Sequence, residues 1–262
     1  MSYPNHPGKH REEALVEPTG YLEYVRSRGR HPLFPPPLGI IFCYQRGLLE
    51  YIRTHHPTTQ PERGFGIHLL EETQGRVGVA GGFGIGAPVA VTLLEEWIAF
   101  GVRRFLSVGT AGSLQHAVGI GELVICDRAI RDEGVSHHYL PPGKYAHAAS
   151  ALTERLIREL DAAGHAHTVG TSWTIDAPYR ETRAEVEAYQ KEGVVCVEME
   201  AAALFAVAEY RGVEMGAMFT ISDTLASLEW HPEFHSDRTR TGLETLYRVA
   251  LRCLTAEADV TG

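Results

Sequence analysis

The sequence has no apolar run approaching the roughly 18 residues that a membrane-crossing helix needs, and its opening stretch, Met1 to Arg11, is polar with no apolar signal segment. A cytoplasmic protein is the expectation. It also lacks any block of lysine and arginine, and 24 basic residues against 33 acidic ones leave a formal net charge of −9. That balance argues against a nucleic-acid groove, and an anionic small ligand would need a local arginine pocket. Cysteine is scarce. Cys43, Cys126, Cys196 and Cys253 lie apart in apolar surroundings, with no C-x-x-C pair and no His/Cys cluster. Zinc binding and a disulfide framework are thereby disfavoured, and buried free thiols are expected. Internal repeats and low-complexity tracts are missing as well.

What is present is a chain of 262 residues, 44% hydrophobic and 22% charged, which suits one large α/β domain with a substantial core. Residues 1–37 contain Pro4, Pro7, Pro18, Pro32 and the run Pro35-Pro36-Pro37. Such a composition predicts an arm or irregular lead-in, with the folded domain occupying 38–262. Glycine-bounded apolar runs at Leu38 to Cys43, Arg76 to Ala80, Arg104 to Val108, Glu122 to Cys126 and Glu214 to Ile221 read as buried strands. Helical spacing marks Pro88 to Phe100, Ala151 to Ala163, Glu200 to Tyr210 and Thr241 to Ala256. Strands alternating with helices imply a parallel or mixed sheet covered on both faces.

Four segments carry candidate chemistry. Gly81 to Pro88 (GGFGIGAP) follows a strand and opens a helix, where glycines let backbone N–H groups approach an anion or a sugar. A tight strand-to-helix turn explains the same residues. A dinucleotide fingerprint does not fit, because Arg103 and Arg104 occupy the region, about 20 residues on, where its acidic residue belongs. Val108 to Ser113 (VGTAGS) reads as a second loop past an apolar strand, with small residues and hydroxyls suited to a planar or sugar ligand, or simply as a turn. In Val194 to Ala203 (VVCVEMEAAA), Glu198 and Glu200 straddle Met199 at the junction of a strand and an Ala-rich helix. Carboxylates there complement the helix dipole, and they also suit a ribose clamp, one carboxylate accepting from vicinal hydroxyls while the thioether packs on the sugar. Asp223 arrives at the end of the next apolar strand, as a turn cap or as a partly desolvated acid able to donate a proton to a departing base.

In their order and spacing, Gly84-Ile85-Gly86-Ala87-Pro88, Gly109-Thr110-Ala111-Gly112, Gly119-Ile120-Gly121-Glu122-Leu123-Val124, Val197-Glu198-Met199-Glu200-Ala201-Ala202 and Ser222-Asp223 resemble the nucleoside phosphorylase family. That family includes purine nucleoside phosphorylases, uridine phosphorylases and methylthioadenosine/adenosylhomocysteine nucleosidases. The resemblance spans roughly Leu38 to Cys253 and implies a single α/β domain, three-layered, around a mixed and partly barrel-like sheet. It implies ribose contacts from Glu198, Met199, Glu200, Thr110 and Ile85, and base contacts from Ala111, Gly112, Pro178, Tyr179 and Asp223. Asp223 would be the catalytic acid. It matches an aspartate that the uridine phosphorylases lack, which points to a purine-like base.

The sequence departs from the family at the phosphate site. The usual Gly-Asp-x-x-Arg loop is replaced by Cys43-Tyr44-Gln45-Arg46-Gly47, and the family's second phosphate arginine corresponds to Ser107. The nucleosidases' water-activating glutamate corresponds to Gly47. Substitute phosphate contacts are Arg46, Arg63 (the latter in the region from which a neighbouring subunit donates an arginine), Thr110 and Gly84. Solvated surface arginines are the alternative reading of the first two. Arg180 and Arg183 are further candidates for a 5′-phosphate or the base edge, and His138, of the pair His137-His138, for the ribose 5′ end; no metal or organic cofactor is implied. The expected reaction is reversible phosphorolysis of a nucleoside with inorganic phosphate as co-substrate, by a homo-oligomer that the resemblance implies to be a hexamer assembled from dimers. A phosphate-independent nucleosidase and a nucleoside-binding protein without catalysis are the competing readings.

Overall fold

The computed structural model describes residues 6–63 and 66–256. Its elements in chain order are α1 (Pro18–Ser27), β1 (Gly39–Cys43), α2 (Arg46–His55), β2 (Thr58–Thr59), β3 (Ile67–Leu70), β4 (Val77–Gly81), α3 (Ala87–Phe100), β5 (Arg104–Ser113) and β6 (Leu123–Asp132). There follow α4 (Ser136–Tyr139), β7 (Tyr145–His147), α5 (Ser150–Ala162), β8 (His167–Ile175), α6 (Arg183–Lys191), β9 (Cys196–Glu198), α7 (Ala201–Arg211), β10 (Glu214–Thr224), β11 (His231–Pro232) and α8 (Asp237–Thr255).

The sheet is mixed and closes on itself. β5 pairs in parallel with β10, β10 antiparallel with β6, β6 in parallel with β8, β8 in parallel with β9, and β9 antiparallel with β5. From this ring the sheet runs outward through β1, β4, β3 and β2. The expected α/β domain with a partly barrel-like sheet is therefore what forms. Both faces are covered, which is why β1 is buried at every position and β10 at all but its terminal residues. One apolar core joins α3 and α7 to the sheet through Trp97, Phe105, Phe205 and Phe219; another joins α5 and α8 through Leu156, Met218, Leu246 and Tyr247.

Local sequence explains the elements that frame the site. Pro88 stands in the first turn of α3, where a missing N–H costs nothing, and Gly101 ends that helix at φ 119°. α7 is buried from Ala201 to Ala208, so its alanines let it lie close to its neighbours. Ser236 caps α8 by accepting from the Thr239 N–H. α8 also crosses β10 so closely that a Cβ on Gly242 would lie 2.1 Å from the Thr220 hydroxyl. All four cysteines are buried and free.

Several expectations are corrected. The Pro-rich lead-in is not wholly irregular: Pro18 opens α1 at a position that tolerates proline, and the helix buries Val25. VGTAGS is not a loop. It forms the last residues of β5, paired to β10 on one side and at Gly112 and Ser113 to β9 on the other. β6 continues past Cys126 to Asp132, and β8, absent from the sequence reading, closes the ring. Among the described residues no helix is long and apolar enough to cross a membrane.

Candidate functional site

A cavity of about 300 Å³ opens where the ends of β1, β5, β9 and β10 meet the loops before α3 and α6. Ile85, Thr110, Ala111, Gly112, Pro178 and Tyr179 line it, as do Glu198, Met199, Glu200 and Asp223. The sequence-derived ribose and base residues thus share one space. Non-local pairing assembles them: Gly112 stands opposite Val197, and Asp223 is in register with Gly112 just after a bulge in β10. Bulges re-aim a strand's side chains, and here the result is a carboxylate lying against Gly112, where any Cβ would come within 2.9 Å of Asp223 Oδ2.

The two glutamates differ in their duties. Glu198 is engaged by the protein itself: Oε1 accepts from the Ser172 and Thr174 hydroxyls, and Oε2 accepts from the backbone N–H groups of Glu200 and Ala201 at 2.8 and 2.7 Å. It ties β8 to the start of α7. Glu200 accepts from the backbone N–H groups of Gly86 and Met199. Burial first, and then the Glu198 charge, push its carboxyl up to about 8.

That shift has a consequence for stability. A carboxyl raised from 4.5 to about 8 in the folded state favours folding while protonated. Its contribution is fully present below the unfolded value and is lost as pH rises through the folded one. Thermal stability of the free protein is expected to be lower at about pH 8.5 than at about pH 6, with Glu200→Gln flattening the decline. An identical decline in that variant would exclude Glu200 as its source.

Asp223 is 8% exposed. Its Oδ1 accepts from the Ser222 hydroxyl at 2.8 Å and its Oδ2 from Trp230 Nε1 at 2.9 Å. Trp230 and Phe234, both on the cavity wall, were not found by sequence reasoning. They belong to a segment without helical or strand periodicity, and only the high aromatic content after Asp223 hints at them. Tyr179 is neither core nor deep contact: it is 98% exposed at the cavity mouth.

The stretch Cys43-Tyr44-Gln45-Arg46-Gly47 contributes to a neutral network. Tyr44 Oη lies 3.0 Å from Ser107 Oγ, and Gln45 Nε2 donates to Thr110 Oγ1 at 3.0 Å. Burial, followed by the Glu200 charge, pushes the Tyr44 hydroxyl well above its ordinary range, so it stays un-ionised. Gln45 Oε1 is buried without a partner among the described residues. Among the described residues no lysine or arginine lines this cavity. Arginines lie next door, in a second cavity of about 570 Å³ that shares Gln45, Ile85, Thr110 and Phe234 with the first and adds Arg46 and Arg240. Arg240 is paired with Asp237 at 2.9 Å, whereas Arg46 is exposed and makes no ion pair among the described residues.

Other candidates lie elsewhere. Gly84 takes φ 101° in the loop before α3 but does not line the cavity. Arg63 is exposed and lines neither cavity. Arg180 is exposed, and Arg183 donates to the Leu228 carbonyl at 3.4 Å. His138 stands against Lys9 at 2.6 Å, beside the lead-in, and is not part of the cavity in this chain. Its partner in sequence, His137, turns to the Arg131 carbonyl.

Residues 43–255 match the family model described as the phosphorylase superfamily. A guanosine phosphorylase of Halorubrum lacusprofundi is 31% identical over 179 residues, 66% of this chain and 73% of that protein. A DeoD-type purine nucleoside phosphorylase of Streptococcus pneumoniae is 33% identical over 176 residues, 63% of this chain and 73% of that one. A crystal structure of uridine phosphorylase from Vibrio fischeri shares the fold, with a TM-score of 0.71 at 22% identity over 85% of this chain and 93% of its own. With the match running from the end of the first strand to the end of the last helix, and the motif-bearing residues gathered around one cavity, the chain belongs to the phosphorylase superfamily.

Proposed function

We propose that the protein catalyses reversible phosphorolysis of a purine-like ribonucleoside, giving free base and ribose 1-phosphate. The observation that carries this reading is that Glu200 and Asp223, delivered by different strand ends, open into the same cavity. As the C1′–N bond breaks, its electron pair passes to the base and the sugar becomes oxocarbenium-like. Asp223 would give a proton to the departing base, and a phosphate oxygen would form the new bond to C1′. Glu200 would accept from the ribose hydroxyls, Met199 would pack on the sugar, and Ala111, Gly112, Pro178 and Tyr179 would flank the base.

The phosphate is assigned to the junction of the two cavities, beside Thr110 and within reach of Arg46. Family membership and the cationic lining of the second cavity support this. Arg63, exposed on the described surface, would serve a neighbouring subunit in a homo-oligomer, as would His138 at the ribose 5′ end. The neutral Tyr44, Gln45, Ser107 and Thr110 network favours a second reading, hydrolysis, in which a water donates to the unpartnered Gln45 Oε1.

Incubating the protein with purine and pyrimidine nucleosides, with and without phosphate, separates the two. Base release is expected to require phosphate and to yield ribose 1-phosphate, and Arg46→Ala is expected to raise the phosphate KM by about tenfold, the scale of one charge-assisted contact. Release at the same rate without phosphate, with free ribose as product, would establish hydrolysis instead.

A further inference from the structure

Trp97 and Trp173 are fully buried, whereas Trp230 is 57% exposed and stands on the wall of the candidate cavity. An indole that open adds little to the core, yet the segment that carries it is pinned on both sides. Before it, the Ala226 carbonyl accepts from Gln190 Nε2 at 3.0 Å, and Leu228 takes φ 61°, a left-handed conformation uncommon for a bulky residue. After it, His231 and Pro232 form β11 against Thr224 and Asp223, and the Glu233 N–H donates to the Ser222 carbonyl at 2.8 Å. The segment thus folds back onto the residue that the indole touches: Trp230 Nε1 donates to Asp223 Oδ2 at 2.9 Å.

That bond works in one direction. An indole N–H donates and never accepts, so a proton on Asp223 cannot pass to Trp230 and has to be presented away from it. The carboxylate left after proton transfer accepts from the indole more strongly than the neutral carboxyl does, because hydrogen bonds to a charged acceptor are the stronger kind. Among the described residues no lysine or arginine lines the cavity, so the Ser222 hydroxyl at Oδ1 and the Trp230 N–H at Oδ2 are the side-chain donors open to the new anion. An interaction that strengthens as the proton leaves lowers the barrier to its leaving.

We propose that Trp230 is a positioning residue for proton transfer: its N–H fixes the plane of the Asp223 carboxyl and stabilises the carboxylate that forms as the base departs. This rests on reading the cavity as a nucleoside site with Asp223 as its acid. In that step the Asp223 O–H bond breaks while an N–H bond forms on the base, the glycosidic electron pair passes to the base, and the indole keeps its own proton throughout.

The test is Trp230→Phe, which keeps an aromatic ring on the wall and deletes the donor. For an ordinary purine nucleoside kcat is expected to fall about 10- to 100-fold, the scale of one hydrogen bond to a charged group, with KM changed by no more than about threefold. A 7-methylated purine nucleoside, whose base leaves neutral, is expected to keep its kcat within about twofold. Equal slowing of both substrates, an effect confined to KM, or no effect at all overturns the proposal. The indole N–H resonances of nitrogen-15-labelled protein give a readout that needs no turnover. Trp230→Phe identifies the Trp230 signal among the three tryptophans, and Asp223→Ala is expected to move that signal upfield as its hydrogen bond is lost. An unmoved signal overturns the pairing whatever the kinetics. If the wild type cleaves neither nucleoside, the phosphorolysis reading falls, and a signal that moves still upholds Trp230 as the residue that fixes Asp223.

Discussion

Replacing Asp223 with alanine is expected to reduce turnover of purine nucleosides by roughly two to four orders of magnitude, the usual range for a general acid. The physical reason is the charge that collects on the leaving base when its glycosidic bond opens, in a cavity where burial and neighbouring carboxylates make an unneutralised anion especially costly. A structural side effect has to be separated from this. Removing the carboxylate frees the Ser222 hydroxyl, which is buried, and the Trp230 N–H, which belongs to a side chain open to solvent. The accompanying loss of stability, about 1 to 3 kcal/mol for one unsatisfied buried group, is visible as a lower melting temperature. A 7-methylated purine nucleoside already carries a positive ring and departs as a neutral base. Asp223→Ala is expected to slow ordinary purine nucleosides severely and the methylated one little. Equal slowing of both would remove Asp223 as proton donor and leave it a structural role.

Much of this site was legible in the sequence because its residues sit in short motifs at strand ends. Glu198-Met199-Glu200 and Ser222-Asp223 fall where apolar runs stop, and the structure gathers them around one cavity. What could not be read was decided by pairing between distant segments. Gly109 to Ser113 looks like a loop because its residues are small, yet β9 and β10 flank it and make it strand. β8 escaped notice because its inward residues, Ser172 and Thr174, are polar; they are buried as hydrogen-bond donors to Glu198. The same pairing sets the two glutamates apart. Spaced two residues from each other they look equivalent in sequence, but Glu198 is held by two hydroxyls and two backbone N–H groups, while Glu200 accepts from backbone N–H groups alone.

That difference makes opposite predictions for the two carboxylates. Glu200→Ala removes the acceptor for the ribose hydroxyls; above about pH 8, where this carboxyl is ionised, a hydrogen bond to a charged group contributes about 1.5 to 3 kcal/mol, so two of them predict a fall in kcat/KM of roughly two to four orders of magnitude. Stability should hold or rise above about pH 8, because the variant deletes a buried carboxyl whose ionisation burial and Glu198 both oppose. Glu198→Ala does the reverse to the fold: it strands Ser172, Thr174 and two backbone N–H groups at the β9–α7 junction and is expected to lower the melting temperature markedly. A 2′-deoxynucleoside supplies the internal control. If Glu200 binds the sugar, the deoxy substrate has already lost one bond, so Glu200→Ala should cost it about 10- to 100-fold less than it costs the ribonucleoside. Equal losses on the two sugars would mean that Glu200 acts through the loop it holds at Gly86, shaping the cavity from behind, and the ribose hydroxyls would need another partner.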